Sequence, residues 1–364
     1  MRPVRLEATV SRRRTAAPWA ATSVPVIRRQ WCNALDAVAE ISFDQYKVPP
    51  PPNSPAAADP AAVRKVQRLV AKFESIAPTI SAEANALRGA ELYWVSRDMV
   101  DVVRRAAGSL PEWTPAAALP SPVGLLCWAR SAGTVSSGLL RPEAVEADLN
   151  TPGHTHLGLS GLTSTITELP WDGVWWWDRP ENNLLQLVPF SRQDQDLDIL
   201  RLAGTTSPVW AAQSIFINRD VPRTEEATGS EQAHPFISAV GAAWLLMAEA
   251  NVTQTRVIGR SAQPLSGPDD ALDGDAPTVG PARAPSTVTL VELRARAATS
   301  EPSAAASGRG YTHRFPVTGH WRQQAYGPNH SWRKPRYIGD YIKGPEGAPL
   351  IAPKPRVHVL RKGR

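Results

Sequence analysis

The sequence predicts an α+β fold, with N-terminal helices packed on a mainly antiparallel sheet that C-terminal strands complete, and with disordered loops between. Three observations point there. Residues 60–107 carry helical periodicity, with Val63, Val66, Val70 and Phe73 recurring at three- and four-residue steps. From about residue 120 the pattern changes to short apolar runs bounded by turn residues. The chain has 364 residues, 42% of them hydrophobic and 20% charged, which is enough apolar material for a real core.

Residues 1–25 lack periodicity and carry Arg12, Arg13 and Arg14 together, a flexible basic arm. The body spans 26–260. Within it, residues 49–60 hold six prolines and form a polyproline II spacer. Asp59 then serves as an N-cap and Pro60 as a first helical residue. Pro78 is expected to end that helix. Arg64, Lys65, Arg68 and Lys72 lie off its apolar stripe, on a solvated face. A longer helix is expected over 80–107, with Leu87, Val95, Met99, Val102 and Ala106 inward and Gly108 as its stop.

Val123 to Ala129 is a compact apolar strand. Val174 to Trp177 and Leu184 to Phe190 flank residues 178–183 as a hairpin with a long loop. Alternation puts Trp175 and Trp177 on one face of the first strand and Trp176 on the other, so at least one side is core. Ser214 to Asn218 gives a further strand. A helix over 235–250 turns Ile237, Val240, Trp244 and Met247 to one side. Residues 261–286, with five prolines, three glycines and four aspartates, read as a disordered acidic loop. Residues 287–364 are a basic β segment completing the body, opening with a strand over Thr287 to Arg296.

Charge is unevenly spread. Residues 1–30 carry a net +6, residues 311–364 a net +9, and the stretch between them a net −9. An acidic body with two basic ends suits an anionic partner, of which nucleic acid is the usual one. The longest apolar run, Val240 to Ala248, is half of what a membrane span needs. No apolar stretch follows the N-terminal arginines, so no secretory signal is expected. Two cysteines, Cys32 and Cys127, supply neither a disulfide framework nor a zinc site, which points to a reducing, cytoplasmic setting. Cys127 sits in an apolar run as a small buried hydrophobe. His154 and His156 are too few for a metal centre, and no nucleotide-cradling glycine pattern is present. No metal or cofactor is expected.

The C-terminal block carries the chemistry. As a strand, residues 313–324 place Phe315, Val317 and Trp321 on one face and Arg314, Thr318, His320, Arg322 and Gln324 on the other. Trp332 to Ile342 gives a second strand with Arg333, Lys334, Arg336, Tyr337 and Tyr341. Arg356 to Leu360 gives a third, with Arg356 and His358 on one side. If the three are neighbours, one face collects His320, Arg322, Arg356 and His358. Arginine neutralises phosphate while aromatic rings stack on unpaired bases, so the binding candidates are His320, Arg322, Tyr326, Arg333, Lys334, Arg336 and Arg356. The same block admits a metal-independent ribonuclease, with His320 and His358 as acid and base and Arg322 and Arg356 as charge stabilisers. A third reading is a protein-binding module built on the tryptophan-rich strands, with no nucleic-acid contact.

The stretch GHWRQQAYGPNHSWRKPRYIGDYIKGPEGAPL, residues 319–350, resembles the C-terminal signature of a family scattered through actinobacteria, their phages and plasmids, associated with type V anti-CRISPR proteins. The matching positions are Gly319, His320, Trp321, Arg322, Tyr326, Gly327, Pro328, Tyr341, Gly344 and Pro345. Residues 337–340 stand where the family pattern has a more apolar, tryptophan-bearing strand. The resemblance implies a non-enzymatic regulatory protein of a phage or mobile element, acting at the transcript or nascent chain. Its partner would then be RNA or a translation-linked protein.

Overall fold

The structure, a computed structural model, describes residues 19–48, 51, 59–136, 168–192, 198–211, 214–223, 234–259, 287–294, 311–345 and 347–351. The α+β expectation holds. Helix α1 (Val24–Ala39) has Pro25 in its first turn and buries Val24, Ile27, Trp31, Leu35 and Val38 at helical spacing. Helix α2 (Pro60–Arg88) starts as its sequence dictates, the Asp59 carboxylate accepting the Ala61 N–H at 3.1 Å. Strand β1 (Glu91–Val95) follows, then α3 (Arg97–Ala107), which stops at Gly108. Strands β2 (Val123–Trp128), β3 (Thr134–Ser136), β4 (Glu168–Pro170), β5 (Gly173–Arg179), β6 (Leu184–Ser191), β7 (Trp210–Ala211) and β8 (Ile215–Asn218) come next. Then come α4 (His234–Met247), β9 (Thr253–Ile258) and β10 (Val288–Leu293). The last strands are β11 (Phe315–Val317), β12 (His320–Tyr326), β13 (Trp332–Ile338) and β14 (Tyr341–Lys343).

The main sheet has eight strands in the order β7-β6-β5-β2-β1-β10-β9, with β8 also on β6. Strand β1 runs parallel to β2 and β10, and the other pairings are antiparallel. Helices cover both faces. On one side α1 and α2 pack against Leu92, Trp94, Leu125, Cys127, Trp175 and Phe190. On the other, α3 and α4 pack against Tyr93, Val95, Leu126, Trp128, Trp176 and Leu187. Alternating residues of one strand thus enter two separate cores, which is why β2 and β6 read as near-continuous apolar runs. The alternation expected at Trp175–Trp177 is observed, and both sides are core: Trp176 is fully buried and Trp177 half-buried.

Several expectations are corrected. Pro78 does not end its helix. It faces solvent, and α2 continues through it because Val70 and Ile76 before it and Ile80, Ala84 and Leu87 after it anchor the same side. Val66, expected inside, is exposed. The expected helix over 80–107 is broken by a turn at Gly89 and by β1, whose Leu-Tyr-Trp-Val run is buried on both faces as a central strand. Part of the expected arm packs on the body: the Trp19 indole N–H donates to the Trp128 carbonyl at 2.7 Å, and Val24 is fully buried. Of the described C-terminal strands, only β10 joins the main sheet. Strands β11 and β14 pair with each other, as do β12 and β13. The rest of the basic arm, most of the proline spacer, the acidic loop and the third strand expected at 356–360 lie outside the described residues. Among the described residues, no helix is long and apolar enough to cross a membrane.

Burial on both faces has a measurable consequence. Trp176→Ala is expected to cost about 3–5 kcal/mol in urea unfolding, since it empties a fully buried site whose indole N–H donates to the Ser121 carbonyl at 2.8 Å. Trp177→Ala is expected to cost about half of that or less. Equal costs would contradict the assignment of the two faces.

Candidate nucleic-acid interface

Two breaks, at Thr318-Gly319 and at Gly339-Asp340, split each long C-terminal strand that the sequence suggests. They leave β12 and β13 as a hairpin closed by Gly327–Ser331. The turn uses left-handed backbone at Gly327 (φ 74°), Asn329 (φ 52°) and His330 (φ 54°). Alternation gives the hairpin two unlike faces.

One face roots it. Trp321 pairs with Tyr337 in register, ring centroids 5.1 Å apart and edge-to-face. The Trp321 indole N–H donates to the carbonyl of Ala106, at the end of α3, at 2.9 Å. Tyr337 is buried and belongs to the core on the α3–α4 side, so it fills the place that an apolar residue would take. The Asn251 side chain donates to the Tyr337 carbonyl at 3.1 Å. Below it, the Gly319 N–H donates to Asp340 Oδ1 at 2.6 Å, and Arg105 pairs with Asp340 Oδ2 at 3.2 Å. A Cβ at Gly319 would come within 2.5 Å of the Tyr337 hydroxyl, so only glycine fits.

The other face is open. Its rungs, in register, are His320 with Ile338, Arg322 with Arg336, Gln324 with Lys334, and Tyr326 with Trp332. His320, Arg322, Arg336, Lys334, Tyr326 and Trp332 are all exposed. Five of the predicted binding residues therefore share one surface: His320, Arg322, Tyr326, Lys334 and Arg336. Arg333 does not join them. It pairs with Ala325 on the opposite face, and its guanidinium donates to the His330 carbonyl at 2.9 Å, bracing the turn. Arg356 and His358 lie outside the described residues.

Two members of this surface escape sequence reasoning. Trp332 was legible in principle, since it lies an even number of residues from Lys334 and Arg336. Glu249, just past α4, was not, because tertiary packing alone brings it to β13. Its Oε2 lies 3.8 Å from Arg336 Nε. Burial pushes its carboxyl above the usual range, and Arg336 and Lys334 pull it back. Lys334 Nζ sits 5.5 Å from the Tyr326 ring centroid, a cation–π contact. Among the described residues no carboxylate pairs with Arg322.

The catalytic alternative has one anchor here. His320 Nδ1 lies 3.1 Å from the Thr318 carbonyl, which orients the ring on the same face as Arg322. His358, the acid–base partner expected for it, lies outside the described residues. Cys32 and Cys127 are both buried. Burial pushes the Cys32 thiol up to about 11 and the Cys127 thiol further, so neither is poised as a nucleophile. No group of three or more metal-ligating side chains occurs among the described residues; His154 and His156 lie outside them.

The signature of residues 319–350 thus divides in two. Gly319, Trp321, Gly327 and Gly344 build the structure; at Gly344 (φ 125°) a Cβ would meet the His313 carbonyl at 2.3 Å. His320, Arg322 and Tyr326 are displayed. Trp321→Ala is expected to speed amide hydrogen exchange across residues 320–338 while leaving the thermal midpoint of the body within about 2 °C. Unchanged exchange would show that the hairpin is rooted elsewhere.

No family model, no curated protein and no solved structure matches the chain.

Proposed function

We propose that this is a regulatory RNA-binding protein of the kind carried by phages and mobile elements, and that RNA lies on the open face of β12 and β13. The Arg322–Arg336 rung carries this reading. Like charges directly opposite each other destabilise an antiparallel pair, and their Cβ atoms stand only about 5 Å apart. On a solvent-facing rung any polar residue would serve the fold. A phosphate between two guanidinium groups converts the repulsion into a bidentate clamp. His320 and Lys334, one rung away on either side, extend the positive strip. The net +9 of residues 311–364 supports the same reading, as does the resemblance of residues 319–350.

The test is binding of labelled RNA across a salt series, with binding and cleavage resolved on one gel. Arg322→Ala is expected to weaken binding about 10-fold at low salt. It should also flatten the log–log salt slope by roughly 0.7. Glu249→Gln is expected to tighten binding, because it removes the carboxylate that competes for Arg336. Absence of salt-dependent binding to any nucleic acid would sink the proposal and favour a protein partner. Cleavage that survives EDTA and is lost in His320→Ala would replace it with the ribonuclease.

A further inference from the structure

We infer that the open face recognises an unpaired base, with Trp332 as the stacking platform and the Arg322–Arg336 rung as the phosphate clamp. Its ligand is then single-stranded RNA rather than a duplex. This rests on the RNA reading above and adds a strand state to it.

Trp332 is 56% exposed at the tip of the hairpin, where an apolar ring of that size ordinarily seeks cover. It is nevertheless held in place. A Cβ on Gly327 would come within 2.5 Å of Cε3 of the indole, so the glycine backbone lies directly against the six-membered part of the ring. Tyr326, across the rung, meets Trp332 edge-to-face at a centroid distance of 5.6 Å. Lys334 in turn sits over Tyr326. The indole is thus braced from the turn and from the partner strand while more than half of it stays open to solvent. A ring ordered before the ligand arrives loses little conformational freedom on binding, the condition under which stacking contributes most.

The spacing fits a short single strand. Trp332 and the Arg322–Arg336 rung are two rungs apart, about 14 Å along the strands. That is a reach of a few extended nucleotides. An A-form duplex keeps its bases stacked inside a deep, narrow major groove, so Trp332 would find no base face to cover. Stacking also tolerates any base, and a basic strip reads only the backbone, so weak sequence preference is expected.

The experiment compares a single-stranded RNA 12-mer, the same sequence as a duplex, and an abasic ribose-phosphate 12-mer. Each is titrated against the full chain and its Trp332→Ala and Trp332→Phe variants. The expected result is tightest binding of the single strand, weakened about 10-fold by Trp332→Ala and largely kept by Trp332→Phe. The duplex and the abasic strand should be insensitive to both substitutions. Hydrogen exchange over residues 326–332 shows whether the turn persists in each variant; if Trp332→Ala loosens it, the Phe variant and the abasic strand decide the matter. Duplex or abasic strand bound as tightly as the single strand overturns this inference and leaves the RNA reading intact. Loss of salt-dependent binding to all three ligands overturns both.

Discussion

A sheet covered by helices on both sides must be apolar on both sides of its central strands, and the rest of this molecule is arranged around that requirement. Strands β1, β2, β5 and β6 send alternate residues into two separate cores, so a single strand such as Val174-Trp175-Trp176 joins both. Large rings fill the layers and glycines make room for them. A Cβ at Gly124 would come within 2.1 Å of the Trp176 ring, and one at Gly241 within 2.4 Å of Trp113. Such close fitting leaves little tolerance for a change of volume on either side.

The hairpin of β12 and β13 depends on this core without being part of the main sheet. Two aromatic side chains root it, Trp321 on the last turn of α3 and Tyr337 in the core beside α4. A two-stranded ribbon is marginal by itself. Docked by one face, it leaves a second face to solvent, where polar, charged and aromatic side chains can stand without disturbing the core. Two opposed arginines, a lysine, a histidine and an exposed tryptophan make sense on such a surface and nowhere in the body. Glu249 tempers its positive charge from 3.8 Å away at Arg336.

Much of the local structure was legible. The Asp59 cap, the Gly108 stop, strand β2, the hairpin of β5 and β6, and helix α4 all follow from periodicity and end signals. Strand β1 was not, because Leu92 to Val95 fits a continued helical stripe as well as it fits a strand. Only burial on both faces decides between them. The same holds for Pro78, whose helix-breaking tendency is outweighed by apolar contacts on either side of it. In the C-terminal segment, alternation gave the correct faces within β12, whereas Arg333 of β13 lies on the face opposite Lys334 and Arg336, with which it was expected to act. Alternation missed the breaks at Gly319 and Gly339, which follow from how the hairpin closes on Asp340, Arg105 and α3.

By itself, then, the sequence determined the secondary elements with strong end signals, the uneven charge, and the residue types of a basic aromatic face. These depend on contacts between near neighbours, which a linear pattern records. Tertiary structure alone decided that both faces of the sheet are covered, that Arg322 stands opposite Arg336, and that Glu249 reaches the face from another part of the chain. Each of these depends on register and docking between distant segments, and a one-residue shift in register would send every side chain of the hairpin to its other face.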